Sequence, residues 1–171
     1  MVHIYNMSAG INQTPTWGVT TSGQPFNDLD TVGATNLNKI SKVVIGHGEV
    51  IDSITITYDR NDGLAPLVQS HGGTGGNITT IELDSNEVIV GVSGRYGFVS
   101  SIYGRSSIQS LEFALLNQAT GEMRIEGPFA PGSGTPFSVI DTVVAVAGYV
   151  STSGTHYIQA LSFFTTHTPV V

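Results

Sequence analysis

Two short segments of this chain carry residue types that together could bind a polar ligand. The first is Gly48-Glu-Val-Ile-Asp52, in which a carboxylate follows a glycine, and the second is His71-Gly-Gly-Thr-Gly-Gly76. A carboxylate accepts two hydrogen bonds at once from neighbouring hydroxyl groups, and such charge-assisted bonds are strong. Glycine has no Cβ, so its backbone N–H groups can approach a ligand closely. This chemistry suits a molecule with several hydroxyl groups, but a capped turn requires the same residues.

Other candidate chemistry in the chain is weaker. His47 and His71 flank the two segments, but a metal site needs a third ligand, so solvent-facing turn histidines are the simpler interpretation. Asp59-Arg-Asn-Asp-Gly63 lacks the final acidic residue of a calcium loop and is better explained as a hairpin turn. The chain has no phosphate-loop lysine after its glycine run, no Gly-x-Ser-x-Gly and no His-Glu-x-x-His. We therefore expect no metal, no cofactor and no enzymatic activity.

Composition narrows the class of protein further. The net charge is −7 with only six Lys and Arg, too few cations for a phosphate-binding surface, so we expect no nucleic-acid partner. There is no Cys, which excludes a disulfide framework and thiol chemistry. No apolar run approaches ~18 residues, so no membrane insertion is expected. The N-terminus lacks a basic region and an apolar stretch, which predicts no signal peptide and a cytoplasmic or non-classically released protein.

The elements that must position the two segments are short strands. Apolar and polar residues alternate, and Gly, Asn, Asp and Pro clusters separate the alternating stretches, which is typical of antiparallel β proteins. We treat residues 1–171 as one domain, in which residues 1–16 form an N-terminal arm or an extra edge strand. Strands are predicted at residues 41–47, 51–58, 79–83, 87–94, 107–117, 122–126, 142–149 and 157–165.

The chain contains an internal repeat. One element recurs as Ile51-Asp-Ser-Ile54, Ile108-Gln-Ser-Leu111 and Ile158-Gln-Ala-Leu161. In each copy a polar residue is followed by two apolar residues at i+2 and i+4. A second element recurs as three glycine-containing loops, Ser22-Gly-Gln-Pro-Phe26, Gly72-Gly-Thr-Gly-Gly76 and Ser133-Gly-Thr-Pro-Phe137. Three copies of each element predict three small sheets that share one core around a pseudo-threefold axis.

These elements, in their order along the chain, resemble the jacalin-related lectins over about residues 17–166. The matching text also includes Ile81-Glu-Leu-Asp84, Val88-Ile-Val-Gly-Val-Ser-Gly94, Gln109-Ser-Leu-Glu-Phe113, Thr120-Gly-Glu-Met123, Gly127-Pro-Phe129 and Gly132-Ser-Gly-Thr-Pro-Phe137. The resemblance implies an all-β fold, the β-prism I, built from three Greek-key, four-stranded antiparallel sheets. Gly48 to Asp52 with the His71–Gly76 run resembles the second sugar site of banana-type mannose lectins.

The resemblance also implies which residues would contact a sugar. Gly48, Glu49, Val50, Ile51 and Asp52 would form one side of the site, and Gly72 and Gly73 would form the other. Asp52 would accept hydrogen bonds from the O4 and O6 hydroxyls. The N–H groups of Val50, Ile51 and Gly73 would donate to the sugar.

The other two copies of the repeat depart from the family pattern. Gln109 and Gln159 stand where Asp is expected, and a neutral amide has only one accepting oxygen. Around Gln159, a secondary sugar loop could include Trp17, Gly18, His156 and Tyr157, although an ordinary exposed loop and a core-packed Trp are the simpler interpretation.

The function implied is a non-catalytic carbohydrate-binding lectin for mannose- or glucose-type glycans. Galactose-preferring members carry an N-terminal glycine created by chain cleavage, and this chain shows no evident processing site. The alternative is a jacalin-fold protein-interaction or toxin-associated module whose sugar sites have decayed. Because one copy alone keeps the carboxylate, we also expect a homo-oligomer, assembled through a strand edge or the N-terminal arm.

Overall fold

The computed structural model describes residues 10–102 and 105–167, which form three antiparallel sheets and one short helix. The part of the prediction that concerns residues 1–9 of the N-terminal arm lies outside the described residues. The strands are β1 (Asn12–Gln13), β2 (Trp17–Gly18), β3 (Gln24–Asn27), β4 (Leu37–His47), β5 (Ile51–Arg60), β6 (Leu67–Gly72), β7 (Asn77–Glu82), β8 (Glu87–Val99), β9 (Arg105–Asn117), β10 (Met123–Phe129), β11 (Thr135–Ile140), β12 (Thr142–Val150) and β13 (Ile158–Thr166). Helix α1 spans Asp28–Val32, and Ser100–Ile102 forms a 3₁₀ turn.

The first and second sheets have the same topology. Their strand orders are β6-β5-β4-β7 and β10-β9-β8-β11, with a central hairpin flanked by the next two strands of the chain. Because β6 and β7 lie on opposite edges, the loop that joins them must cross the end of the sheet where the β4–β5 turn lies. The loop between β10 and β11 crosses the β8–β9 hairpin in the same way. This topology brings each glycine-containing loop to a hairpin turn.

The third sheet repeats the pattern with strands from both ends of the described chain. Its central hairpin is β12–β13, β3 lies on one edge beside β12, and the two-residue strands β1 and β2 both pair with β13 on the other. The loop from β2 to β3 crosses the β12–β13 turn. The predicted β-prism with three related sheets is confirmed, and residues 12–13 form an extra edge strand.

The core lies between the three sheets, where the repeat predicted it. The two apolar residues of each copy are at most 2% exposed. These residues are Ile54 and Ile56, Leu111 and Phe113, and Leu161 and Phe163. Trp17 packs beside them, with its ring stacked on that of Phe137 at a centroid distance of 4.6 Å. Alternation with period 2 therefore identified the inward face of one strand in each central hairpin.

Strands β3, β6 and β11 were not among the predicted strands, because their residues belong to, or border, the predicted glycine loops. All three are edge strands. An edge strand tolerates a proline such as Pro25 or Pro136 and needs only one apolar face, so its sequence signal is weak. Helix α1 was also not predicted. It begins at the cap Asn27, whose side chain accepts from Asp30 N–H at 3.1 Å. With five residues, α1 is the sole α-helix within the described ranges, and no helix there has the length and hydrophobicity to cross a membrane.

A network of ion pairs and hydrogen bonds lies at the connection between β7 and β8, the first strand of the second sheet. Glu87 is buried, and its carboxylate accepts from Arg124 Nε at 2.8 Å and from Asp84 N–H at 2.9 Å. The hydrogen bond from the Arg124 guanidinium holds the pKa of Glu87 at about 2. Lys39 donates to three backbone carbonyls of the same connection, those of Asp84, Ser85 and Glu87. This network lies at the opposite end of β8 from the β8–β9 hairpin.

Candidate functional site

The turns of the three central hairpins lie close together at one end of the molecule. Gly73, in the loop that crosses the first sheet, packs against the β12–β13 turn, because a Cβ built on Gly73 would lie 2.3 Å from His156 O. Arg105, at the start of β9, donates from Nη1 to Ser153 Oγ in the same turn. These contacts join the turns of all three sheets into one surface, on which the candidate residues meet.

The Asp52 carboxylate lies in a cradle of glycines. A Cβ built on Gly76 would lie 2.6 Å from Asp52 Oδ2, and one built on Gly75 would lie 3.0 Å from Oδ1. Gly48 closes the third side, 3.7 Å from Oδ2 by the same measure. Gly76 has φ +76°, a conformation that side chains rarely adopt. Because these three residues have no side chain, there is open space around the carboxylate. A side chain at any of the three positions would fill it.

The Asp52 carboxylate makes no hydrogen bond to any described residue. Its backbone oxygen accepts from Gly73 N–H at 2.9 Å, but the carboxylate oxygens have no protein donor in residues 10–102 and 105–167. Burial raises the pKa of this carboxyl above its ordinary value, and the nearby His47 partly opposes that shift. A partly desolvated carboxylate with no donor is unusual, since proteins normally pair such groups.

Backbone N–H groups beside the carboxylate are also unused. Gly48 N–H donates to Val50 O at 3.1 Å and so closes the turn, but the N–H groups of Glu49 and Val50 have no acceptor among the described residues. The side chains of Val50 and Ile51 are buried, at 4% and 0% exposure, and so contribute packing. The turn therefore combines a free acceptor with free donors.

The loop glycines predicted from the sequence, Gly72 and Gly73, lie three positions before the glycines that are found beside the carboxylate. Gly72 and Gly73 contact the Asp52 backbone, and the Gly73 N–H is already bonded to Asp52 O. Gly75 and Gly76, in the same run, are the residues that face the carboxylate. The run contains two glycine pairs, and the sequence does not distinguish them. The path of the loop in the folded chain determines which pair faces the carboxylate.

The flanking histidines have structural partners. The Nε2 atom of His47 lies 2.8 Å from Thr79 Oγ1, and that of His71 lies 2.7 Å from Asp28 Oδ1. No group of three or more His, Asp and Glu side chains suited to a metal occurs in the described part of the chain. Residues 59–63 end β5 and begin the turn to β6, where Arg60 pairs with Asp62.

In the second sheet, Gln109 occupies the position that corresponds to Asp52. Gln109 is 4% exposed, and its Oε1 accepts from Ser133 N–H at 3.1 Å and Gly134 N–H at 2.8 Å. Its Nε2 donates to Phe98 O at 3.1 Å. The side chain thus uses the loop N–H groups that an unoccupied site would offer to a ligand.

Gln159 also binds the neighbouring loop in the third sheet, but as a donor rather than as an acceptor. Its Nε2 donates to Val19 O at 2.8 Å and to Ser22 O at 2.7 Å, which fixes the loop between β2 and β3. Of the residues considered for a secondary sugar loop, Trp17 packs against the core, Gly18 lies against the β13 backbone, and Tyr157 is buried. Only His156 is exposed, and its Nδ1 lies 2.7 Å from Ser151 O.

Comparison with known proteins agrees with this fold. A family model, the jacalin-like lectin domain, matches residues 14–164. Jacalin-related lectin 3 of Arabidopsis thaliana is 30% identical over 132 residues, which are 76% of this chain and 20% of the relative. The chain thus spans about a fifth of that relative's length.

Solved structures of the same family share the whole fold. Malaysian banana lectin superposes with a TM-score of 0.74 at 26% identity and covers 93% of this chain and 100% of its own. A mannose-specific jacalin-related lectin from Morus nigra, in complex with mannose, gives a TM-score of 0.72 at 25% identity and covers 92% of this chain and 96% of its own. The family model spans nearly the whole described chain, and the chain therefore belongs to the jacalin-like lectins, which are non-catalytic carbohydrate-binding proteins.

Proposed function

We propose that this protein binds mannose- or glucose-type glycans at the site formed by Gly48–Asp52 and the Gly72–Gly76 loop. The observation that carries the proposal is the Asp52 carboxylate, which lies in a glycine cradle and has no hydrogen-bond donor among the described residues. Two adjacent sugar hydroxyls supply the donors that the carboxylate lacks, and each bond is charge-assisted. The unused N–H groups of Glu49 and Val50 donate to sugar oxygens in return.

The proposed sugar class rests on similarity to known lectins as well as on the geometry of the site. The Morus nigra relative is mannose-specific, and the other supporting feature is the Gly-x-x-x-Asp loop itself. A site built from one carboxylate and backbone N–H groups needs no divalent cation. We therefore expect binding to persist in EDTA and to favour mannosides and glucosides over galactosides.

Calorimetric titration with methyl α-mannoside, methyl α-glucoside and methyl α-galactoside tests the proposal. We expect dissociation constants of about 1 mM for the first two, because a shallow site yields roughly −4 kcal/mol. Asp52→Asn should weaken binding about tenfold or more, since it removes the charge and one of the two accepting oxygens. Asp59→Asn, on the same strand, is the matched control and should bind as the natural protein does. Equal affinity of a folded Asp52→Asn variant would contradict the proposal.

The Gln109 and Gln159 positions, whose side chains are bonded to their own loops, affect the number of sugar sites per chain and the alternative function. Gln109 and Gln159 leave Asp52 as the single free carboxylate of the three equivalent positions, so one chain offers one such site. Cross-linking of glycans then requires self-association. If no sugar binds on a broad glycan array, a protein-interaction role with decayed sugar sites becomes the better account.

We propose that self-association uses the outer face of the second sheet, instead of the strand edge or N-terminal arm expected from the sequence. Ile125, Ala114, Gly91 and Ile140 form a row across all four strands, and Ile125 and Ile140 are 55% and 85% exposed. An apolar row of this kind stabilises contact with a second copy of itself. Sedimentation of the natural protein should show a dimer or larger species, and Ile140→Glu should shift it toward monomer. A monomeric natural protein would contradict this proposal and leave sugar binding untouched.

A further inference from the structure

The outer face of the third sheet carries a groove of about 370 Å³, and the residues that line it lie outside the three hairpin turns. Strand β3 bounds the groove on one side. The segment from β1 to β2 bounds it on the other side, at Gln13 and Thr16. The central strands β12 and β13 form its floor. A volume of this size is within the range of small-ligand sites.

Strand register determines which side chains face this groove. Leu161 faces the core, and Gly148 and Phe26 lie in the same row of the sheet. The rows on either side therefore point outward. These two rows are Asn27–Ala147–Ser162 and Pro25–Tyr149–Ala160. Ala147 adds only a methyl group to the floor, and the Tyr149 ring forms a wall at the end nearer the β12–β13 turn.

Two amide side chains lie on opposite sides of the floor, and a hydrogen bond fixes the orientation of each. Asn27 Oδ1 accepts from Asp30 N–H at 3.1 Å, which leaves Asn27 Nδ2 as a donor. Gln13 Nε2 donates to Ser162 Oγ at 3.1 Å, which leaves Gln13 Oε1 as an acceptor. Ser162 is 1% exposed, so it holds the Gln13 amide from below. Asn27 and Ser162 are two strand spacings apart, about 10 Å, with Ala147 between them.

Two hydroxyl groups complete the polar lining. The hydroxyls of Thr16 and Tyr149 make no hydrogen bond to any residue in the described ranges, and a hydroxyl can both donate and accept. None of the described residues that line the groove is charged. A charged ligand would therefore lose water there without gaining a counter-charge. This lining suits a neutral molecule that carries several hydroxyl groups.

We infer that this groove binds one neutral pyranose residue of a glycan, independently of the Asp52 site. The apolar C–H face of the ring lies on Ala147 and against the Tyr149 ring. Asn27 Nδ2 donates to a hydroxyl on one side of the sugar, and Gln13 Oε1 accepts from a hydroxyl on the other. The inference goes beyond the proposed function, because it uses no residue of the hairpin turns and raises the number of sugars per chain from one to two.

Titration of isotope-labelled Asp52→Asn protein, followed through its amide chemical shifts, tests the groove while the Asp52 site is weakened. The probes are methyl α-mannoside, methyl α-glucoside and methyl α-galactoside. At least one of them should shift the amide signals of Asn27, Ala147 and Ser162 in a saturable manner, with a dissociation constant in the millimolar range. The natural protein should show the same shifts, with the signals around Asp52 as a second, separate set.

Two variants in the groove and one outside it complete the experiment. Tyr149→Phe should weaken binding in the groove about fivefold, because it removes one hydrogen bond. Thr16→Trp, which places an indole over the floor, should abolish it. Thr35→Trp is the matched control, because Thr35 is also an exposed threonine but precedes β4, outside the groove. It should leave both sets of shifts unchanged, and the amide spectrum reports whether each variant is folded.

The outcomes separate this inference from the proposed function. Absence of saturable shifts in the groove with all three glycosides would overturn the inference, and so would groove shifts that survive Thr16→Trp. Groove shifts without shifts around Asp52 in the natural protein would overturn the proposed function and leave the groove standing. Shifts around Asp52 alone would do the reverse.

Discussion

Gln109 Oε1 lies 2.8 Å from the backbone nitrogen of Gly134, so the second sheet fills its own loop with its own side chain. Asp52 holds the equivalent position in the first sheet and makes no such bond to a described residue. The two side chains differ in charge and by one methylene. The longer, neutral Gln109 reaches its loop and accepts hydrogen bonds from the loop N–H groups. The shorter Asp52 carboxylate makes no bond of this kind to its own loop. The same scaffold thus gives one open and two closed positions.

The Gly76 backbone should be essential for binding. Gly76→Ala places a Cβ 2.6 Å from Asp52 Oδ2 and 2.5 Å from His47 O, so the carboxylate must move. We expect methyl α-mannoside affinity to fall at least about tenfold. Gly63→Ala is the control, because Gly63 has the same φ of +76° but nothing within 4 Å. It should cost about 1 kcal/mol of unfolding free energy and leave binding unchanged. Wild-type affinity in Gly76→Ala would contradict the cradle.

Sugar binding should weaken in acid earlier than an ordinary aspartate would predict. Burial raises the pKa of Asp52 above 3.8, and only the ionised form accepts two hydroxyl protons. Affinity measured across pH 3 to 8 should be constant at high pH and fall with a midpoint above 3.8. The residual binding of Asp52→Asn should show no such midpoint. A midpoint at or below 3.8 would contradict the desolvation of this carboxyl.

The same shift has a consequence for stability. A folded-state pKa above the unfolded value means that stability is lost as the pH rises through the folded pKa. At pH 7 the ionised carboxylate, which has no donor in the described part of the chain, therefore lowers the free energy of unfolding. Asp52→Asn should leave the melting temperature unchanged or higher at pH 7, even though it loses the sugar. A clear loss of melting temperature would show that Asp52 has a structural partner.

Removal of Gln109 should destabilise the fold without affecting the sugar site. Gln109→Ala leaves the N–H groups of Ser133 and Gly134 without their acceptor and Phe98 O without its donor. We expect a loss of about 2–3 kcal/mol in urea unfolding, because these groups are partly buried. Gln69→Ala removes a single bond to the adjacent Val68 O and should cost less than about 1 kcal/mol. Equal losses of unfolding free energy in the two variants would contradict the role of Gln109 in fixing its loop.

The Glu87–Arg124 pair should make stability depend on pH. Arg124→Met should lower the unfolding free energy by about 1–2 kcal/mol at pH 7, since it leaves buried Glu87 without its guanidinium partner. The lowered pKa of Glu87 means that this stabilisation is present above 4.5 and is lost as the pH falls toward about 2. The gap between natural protein and variant should close over that range. Lys42→Met breaks an exposed pair with Glu82 and should change stability by less than about 0.5 kcal/mol at any pH.

Local periodicity alone identified the central strands of the sheets and the inward face of β5, β9 and β13. Strict alternation after Asp52, Gln109 and Gln159 identified six core residues, because a side chain's face in a strand depends only on its position in the chain. The repeat then required three sheets, since none could bury its apolar face alone. The sequence also singled out Asp52 as the one carboxylate among three equivalent positions.

Tertiary structure decided what those residues contact. Whether Gly73 or Gly76 meets the carboxylate depends on how a loop crosses two strands, which local sequence does not encode. The closure of the Gln109 and Gln159 positions depends on the reach of a side chain toward a loop far away in sequence. The groove on the outer face of the third sheet exists because β1 to β3 pair with a hairpin from the other end of the described chain, and edge strands carry the weakest sequence signal. Hydrogen-bond partners in loops follow from non-local pairing, and so the free Asp52 carboxylate and the closed Gln109 and Gln159 positions were visible only in the folded chain.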